Sequence, residues 1–202
     1  MRSPLTLLLL PVLAAPAPAA LPGNLTAHLK EVACMHLDFV QTRTLAALSR
    51  PLKASGSLVL VRDQGLIWAL KRPLAITYVM GPKGLLVVDG EGRKERRSAR
   101  EAPMVAQMGK VFQALAQGDL TLLEGLFAAR GSGTPDHWQV ELTPLAGSGA
   151  AAFVKRIRLD GGRCIDRVRV EEPAGDRMEL VFQNQRLDLP PSPAEAALLA
   201  QE

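Results

Sequence analysis

The chain has few of the residues on which most enzymes and nucleic-acid binders depend. Aromatic side chains make up 4% of its 202 residues, and they are not interleaved with the basic ones, which removes base stacking and with it nucleic-acid binding. Any internal surface must therefore be lined mainly by aliphatic side chains, which suit acyl chains better than sugars or bases. The three histidines, His28, His36 and His137, have no zinc-ligand spacing and none lies beside a G-x-S-x-G elbow, so a metal site, a cofactor and hydrolase chemistry all lack their parts. Glu171, Glu172 and Asp176 flank Gly175 and read as turn residues and cross-strand partners, not as a catalytic carboxylate pair. No enzymatic activity and no catalytic residue is expected. Only two cysteines occur, Cys34 and Cys164, with no C-x-x-C, which excludes dithiol redox catalysis. They either pair across a long loop, an entropic contribution of about 4–5 kcal/mol, or remain buried thiols that act as small hydrophobes.

Long apolar runs are also missing. The stretch from Leu5 to Leu13, interrupted by Thr6 and Pro11, is far shorter than the ~20 residues needed to span a bilayer. It follows Met1-Arg2 and precedes Ala17-Pro18-Ala19, the order of a secretory signal with a small-x-small cleavage site. Residues 1–19 are therefore expected to be a signal peptide and the mature chain to begin at Ala20. No cysteine stands at the cleavage region, where Ala20-Leu21-Pro22 follow, so the expected product is an exported, periplasmic, non-lipidated protein. Residues 20–188 read as one domain and 189–202, with Pro190, Pro191 and Pro193, as a proline-rich tail. Losing Arg2 would lower the net charge of +4 by one. The basic cluster Arg93-Lys94-Glu95-Arg96-Arg97 is either a docking patch for an anionic lipid or acidic partner, or an edge strand guarded by charge.

What the chain does have is a succession of short apolar strands. In the first, which begins at Cys34, Met35, Leu37 and Phe39 alternate with His36 and Asp38, the period of a half-buried strand. Further strands are predicted at about 55–62, 65–71, 75–80, 84–88, 93–99, 137–143, 152–160, 163–171 and 177–183, separated by turn residues. Apolar residues on both faces of several of them call for a sheet covered on both sides or one wrapped around an apolar ligand. Helices are predicted from Pro22 to Val32, from Pro103 to Ala116 with the stripe Met104, Met108, Val111, Phe112 and Leu115, over Leu120 to Phe127 after an Asp119 cap, and over Ala194 to Ala200. The stretch Gly131-Ser132-Gly133-Thr134-Pro135 reads as a loop.

This order of elements resembles the outer-membrane lipoprotein carrier (LolA) family from about Leu25 to Leu187. The resemblance is carried by Phe39-Val40-Gln41, Gly56-x-Leu58 running to Arg62, Trp68 followed by Pro73, and Val88-Asp89-Gly90. It implies a mainly antiparallel fold with helices, an incomplete and strongly curved β-barrel covered by a helical lid. It also implies an apolar cavity lined by Leu37, Phe39, Leu58, Leu60, Trp68, Leu70, Tyr78, Met104, Met108 and Phe112. Arg62 matches the family arginine that joins barrel to lid, although Asp63 replaces the proline that normally follows. After Gly90 a basic hairpin stands where the carriers place aromatic residues, a departure that points to a divergent branch associated with lipid exporters.

The function so implied is that of a monomeric periplasmic carrier. It would bind the acyl chains of a lipoprotein or lipid and shuttle it between an inner-membrane transporter and an outer-membrane receptor. The alternative is a sensor or regulatory protein-binding module built on the same fold.

Overall fold

The computed structural model describes residues 29, 31–81, 84–98, 100–101, 103–116 and 120–201; the expected signal peptide and most of the expected opening helix lie outside the described residues. Eleven strands follow one another: β1 (Cys34–Thr44), β2 (Leu52–Val61), β3 (Gly65–Arg72), β4 (Ile76–Gly81), β5 (Gly84–Asp89), β6 (Lys94–Arg97), then β7 (Phe127–Thr134), β8 (His137–Pro144), β9 (Arg156–Gly161), β10 (Ile165–Glu171) and β11 (Arg177–Leu187). Helix α1 (Pro103–Ala116) and a 3-10 turn at Leu120–Leu123 join β6 to β7, and α2 (Pro193–Gln201) ends the chain.

All eleven strands form one antiparallel sheet in the order β6-β5-β4-β3-β2-β1-β11-β10-β9-β8-β7. The sheet is not closed, because β6 and β7 are its two edges. These edges are consecutive in sequence, so the connection between them, which contains α1, has to pass over one face. There α1 packs on β2, β3 and β4, and the 3-10 turn on β7. One apolar cluster fills that face from Val87 in β5 to Trp138 in β8.

Two sequence expectations need correction. The Gly131–Pro135 stretch is not a loop: residues 131–134 finish β7, which pairs with β8 from Phe127↔Pro144 to Thr134↔His137. Glycine in a strand marks close backbone approach: a Cβ at Gly133 (φ +106) would stand 2.1 Å from the His137 carbonyl oxygen. The second predicted helix shrinks to the single 3-10 turn, and Phe127 belongs to β7.

Candidate functional site

Period-two alternation brings the expected cavity residues together. Leu37 and Phe39 from β1, Leu58 and Leu60 from β2, Trp68 from β3 and Phe112 from α1 are all buried in the main cluster, with Leu70 and Tyr78 partly buried against it. Met104 and Met108 lie on α1, but their side chains lie outside what is described. Phe112 is the link across the layer. Edge-to-face contacts run from Phe39 to Trp68 (6.1 Å), from Trp68 to Phe112 (6.3 Å) and from Phe112 to Phe182 of β11 (5.8 Å), each contributing about 0.5–1.5 kcal/mol beyond area burial. Phe182, which joins this chain of rings, was not foreseen as a site residue. Gly109 lets α1 approach closely, since a Cβ there would stand 2.5 Å from the Met80 sulfur.

The buried tryptophans differ in one respect. Trp138 Nε1 donates to the Gly162 carbonyl at 2.7 Å. Among the described residues, Trp68 Nε1 is buried with no hydrogen-bond partner.

Arg62 follows β2, and its Nη2 donates to the Val32 carbonyl at 2.7 Å while its backbone N–H donates to Ala33 at 3.0 Å. Among the described residues its recorded partners thus lie in the segment entering β1, not on α1 and not at Asp63. Of the two readings of the cysteines, the structure has the unpaired one: Cys34 and Cys164 are both free and buried. Adjacent strand residues point to opposite faces. Met35 faces the main cluster, where its sulfur lies 3.9 Å from Cys164 Sγ, so Cys34 faces the other way, into a second cluster. Burial pushes both thiols up to about 11.

That second cluster covers the reverse face of β1–β5. Cys34, Val59, Val61, Ile67, Val79 and Leu86 pack there with Leu199 of α2. Ser192 and Glu195 form a capping box at the start of α2: Glu195 Oε2 accepts from the Ser192 N–H (2.7 Å) and hydroxyl (2.8 Å), and the Glu195 N–H donates back to Ser192 Oγ (3.3 Å). The same Glu195 oxygen lies 3.4 Å from His36 Nε2, whose Nδ1 lies 3.7 Å from Cys34 Sγ. Thiol, imidazole and carboxylate therefore fall in line, but a thiol at about 11, raised first by burial and then by the charges of Glu195 and Asp188, is no nucleophile near neutral pH. Burial alone would raise the Glu195 carboxyl; the bonds from Ser192 and His36 outweigh it and hold it below its usual range.

A profile of the family described as outer membrane lipoprotein carrier protein LolA-like matches residues 14–179. The chain belongs to the LolA-like family. No curated protein matches it. Among solved structures, it is similar to a LolA superfamily protein from Nitrosomonas europaea, at 13% identity over 85% of this chain and 96% of that one with a TM-score of 0.48. A DUF1329 family protein from Desulfovibrio piger gives 13% over 87% and 97% with a TM-score of 0.48. The Pseudomonas aeruginosa MucA/MucB complex gives 12% over 87% of this chain and 58% of that one, with a TM-score of 0.40.

The outward surfaces of this LolA-like chain are charged. Around β6, Arg93 pairs with Asp89 (2.6 Å) and Glu91 (3.1 Å), and Arg97 with Glu95 (2.9 Å), as befits a guarded sheet edge. Beside them a groove of about 410 Å³ has an apolar floor of Ile76, Tyr78 and Val87 and a rim that includes Arg93, Lys94 and Arg97. On the outer face of β8–β11, Arg158 pairs with Glu141 (2.9 Å), and Arg169 with Asp160 (3.2 Å) and Glu179 (3.2 Å). Among the described residues no helix is long and apolar enough to cross a membrane, and no group of three or more His, Cys, Asp or Glu could hold a metal ion.

Proposed function

We propose that this LolA-like protein is an exported periplasmic carrier that takes up the acyl chains of a lipoprotein or lipid on the apolar face beneath α1 and moves them from an inner-membrane transporter toward an outer-membrane receptor. One observation carries this reading: a continuous apolar layer reaching across the sheet is covered along β2–β4 by a single helix whose own sequence does little to hold it. Helix α1 has no acidic residue in its first turn and no basic residue in its last, so its dipole is not compensated by charge. Gly109 costs it about 1 kcal/mol relative to alanine, and at 14 residues an isolated helix is marginal. Its stability comes from packing on the face that it covers, which is the property a displaceable cover needs. Each buried CH₂ of a cargo chain contributes about 0.8 kcal/mol, enough over a dozen carbons to replace Val111 and Phe112 and leave a reversible balance. Binding is by area burial, with no covalent step. In this reading residues 1–19 are removed on export, and the protein works as a monomer in which Arg62 secures the start of β1 beside the covered face.

Mass spectrometry of organic extracts of the mature protein, purified from periplasm without detergent beside an unrelated periplasmic control, tests this. An acylated molecule near one per protein is the expected result. Finding none, together with no uptake of added lipid, sinks the carrier and favours a regulatory protein-binding module.

A further inference from the structure

Trp68 is buried, 5% exposed, and among the described residues its indole N–H has no acceptor. An unpaired buried donor loses its water without regaining a bond, and more than nine in ten buried polar groups avoid that cost. Trp138 in the same sheet avoids it through the Gly162 carbonyl. The rings beside Trp68, Phe39 and Phe112, offer only π faces, which are weak acceptors. A phenylalanine would cover this patch of the layer without the penalty, so the donor needs another reason to be there.

Its position suggests one. Cross-strand pairing puts Leu58, Trp68, Tyr78 and Val87 in one row across β2, β3, β4 and β5. Leu58 is deep in the layer at 0% exposed, whereas Tyr78 and Val87 floor the open groove, whose rim carries Asp89 and Glu95 with Arg93, Lys94 and Arg97. Strands lie about 4.8 Å apart, so Trp68 stands about one strand inside the groove. The row thus runs from fully apolar, past the Trp68 N–H and the Tyr78 hydroxyl, to a polar mouth at Glu95.

An acylated cargo has the same order: hydrocarbon, then the carbonyl of an ester or amide linkage, then a polar head. We propose that Trp68 Nε1–H donates to the carbonyl oxygen of that linkage, with the acyl chain lying inward under α1 and the head directed outward along Tyr78 and Val87. The acceptor is a neutral carbonyl because the groups that meet Trp68, namely Leu58, Tyr78, Phe39 and Phe112, carry no charge to balance a carboxylate or phosphate. This rests on the carrier reading and adds to it where the cargo sits and which polar atom is recognised.

The test compares methyl laurate with 1-methoxydodecane, matched chains with and without the carbonyl, by displacement of a bound apolar fluorophore from the mature protein. The native protein is expected to bind the ester about tenfold more tightly, the net worth of one hydrogen bond. Trp68→Phe is expected to bring the ratio to about one while leaving the ether's affinity within about twofold. A ratio near one in the native protein, or a preference that survives Trp68→Phe, overturns the assignment while leaving the carrier standing. If neither compound binds the native protein, the carrier reading fails and the assignment with it. Should Trp68→Phe not fold, the native indole ¹H–¹⁵N resonances decide. Trp68 is expected to move downfield with the ester and not with the ether, with Trp138 as an unshifted reference, and equal responses to both ligands refute the contact. A diacylglyceryl peptide and phosphatidylglycerol carry the same linkage, and running both as competitors tells a lipoprotein cargo from a phospholipid one.

Discussion

The two halves of the sheet use the same alternation for different ends. In β7–β11 the inner face is core and the outer face is a set of ion pairs among Glu141, Asp160, Glu179 and arginines, so this half meets solvent directly. In β1–β5 both faces are apolar, and each is covered by a helix, α1 on one side and α2 on the other. Under the proposed carrier function, a half-sheet with helices on both faces is one whose inner layer would be exposed by moving a helix instead of unfolding strands. The tryptophans follow the same division, the satisfied Trp138 belonging to the scaffold half and the unsatisfied Trp68 to the helix-covered half.

The sharpest way to break this comparison is to compare large-to-small changes in the two halves. Leu142, 0% exposed in β8, is expected to cost about 2–5 kcal/mol of global stability as Leu142→Ala, measured by urea unfolding. Phe112→Ala removes a larger side chain that is equally buried, yet a detachable α1 should absorb much of the loss locally. Hydrogen exchange is expected to show α1 amides losing protection while those of β8–β11 keep theirs. If protection falls uniformly, α1 is ordinary core and the distinction between halves disappears.

The sequence showed the faces more clearly than the partners. The alternation of Met35, Leu37 and Phe39 against His36 and Asp38 placed the first three on one face correctly, because strand periodicity is local, but the half-buried strand it implied is buried on its other face as well, where Cys34 and His36 lie under α2. Strand β7 was missed because Gly131, Ser132 and Gly133 resemble a turn unless their pairing with β8 is known. The capping box Ser192-Pro193-Ala194-Glu195 was present in the sequence and marks the start of α2. Arg62's acceptor was not legible, since a backbone carbonyl such as Val32's carries no residue signature. Nor was the role of Phe182, which depends on the last strand pairing with the first, or the orphaned N–H of Trp68, which is a property of its neighbours.

A middle-sized effect concerns α2. Ser192→Ala removes the reciprocal cap and is expected to cost about 0.5–2 kcal/mol, read as lower thermal stability and faster exchange in α2. The sign with pH follows from Glu195, whose carboxyl lies below its usual range. A depressed carboxyl stabilises above its unfolded pKa and loses that contribution as pH falls through the folded value. Docking of α2 should therefore weaken only on the acid side of the ordinary carboxylate range, and the acid-side slope should flatten in Glu195→Gln. An unchanged slope would place the acid sensitivity elsewhere.

The smallest effect should come from the outer face of the scaffold half, and its smallness is itself informative. Glu141 accepts from Arg158 Nε at 2.9 Å and lies 3.7 Å from Arg156 Nε, and its hydrogen bond is the first cause of the raised Arg158 pKa. These groups face water, where exposed pairs contribute little and salt screens them over about 8 Å at physiological ionic strength. Glu141→Gln is therefore expected to give a small loss in thermal stability at low salt that vanishes near 0.15 M, far below the effect of Leu142→Ala on the same strand. A large, salt-independent loss would mean that the ion pairs hold the scaffold half together as a covering helix does the other, and the two halves would then differ in appearance only.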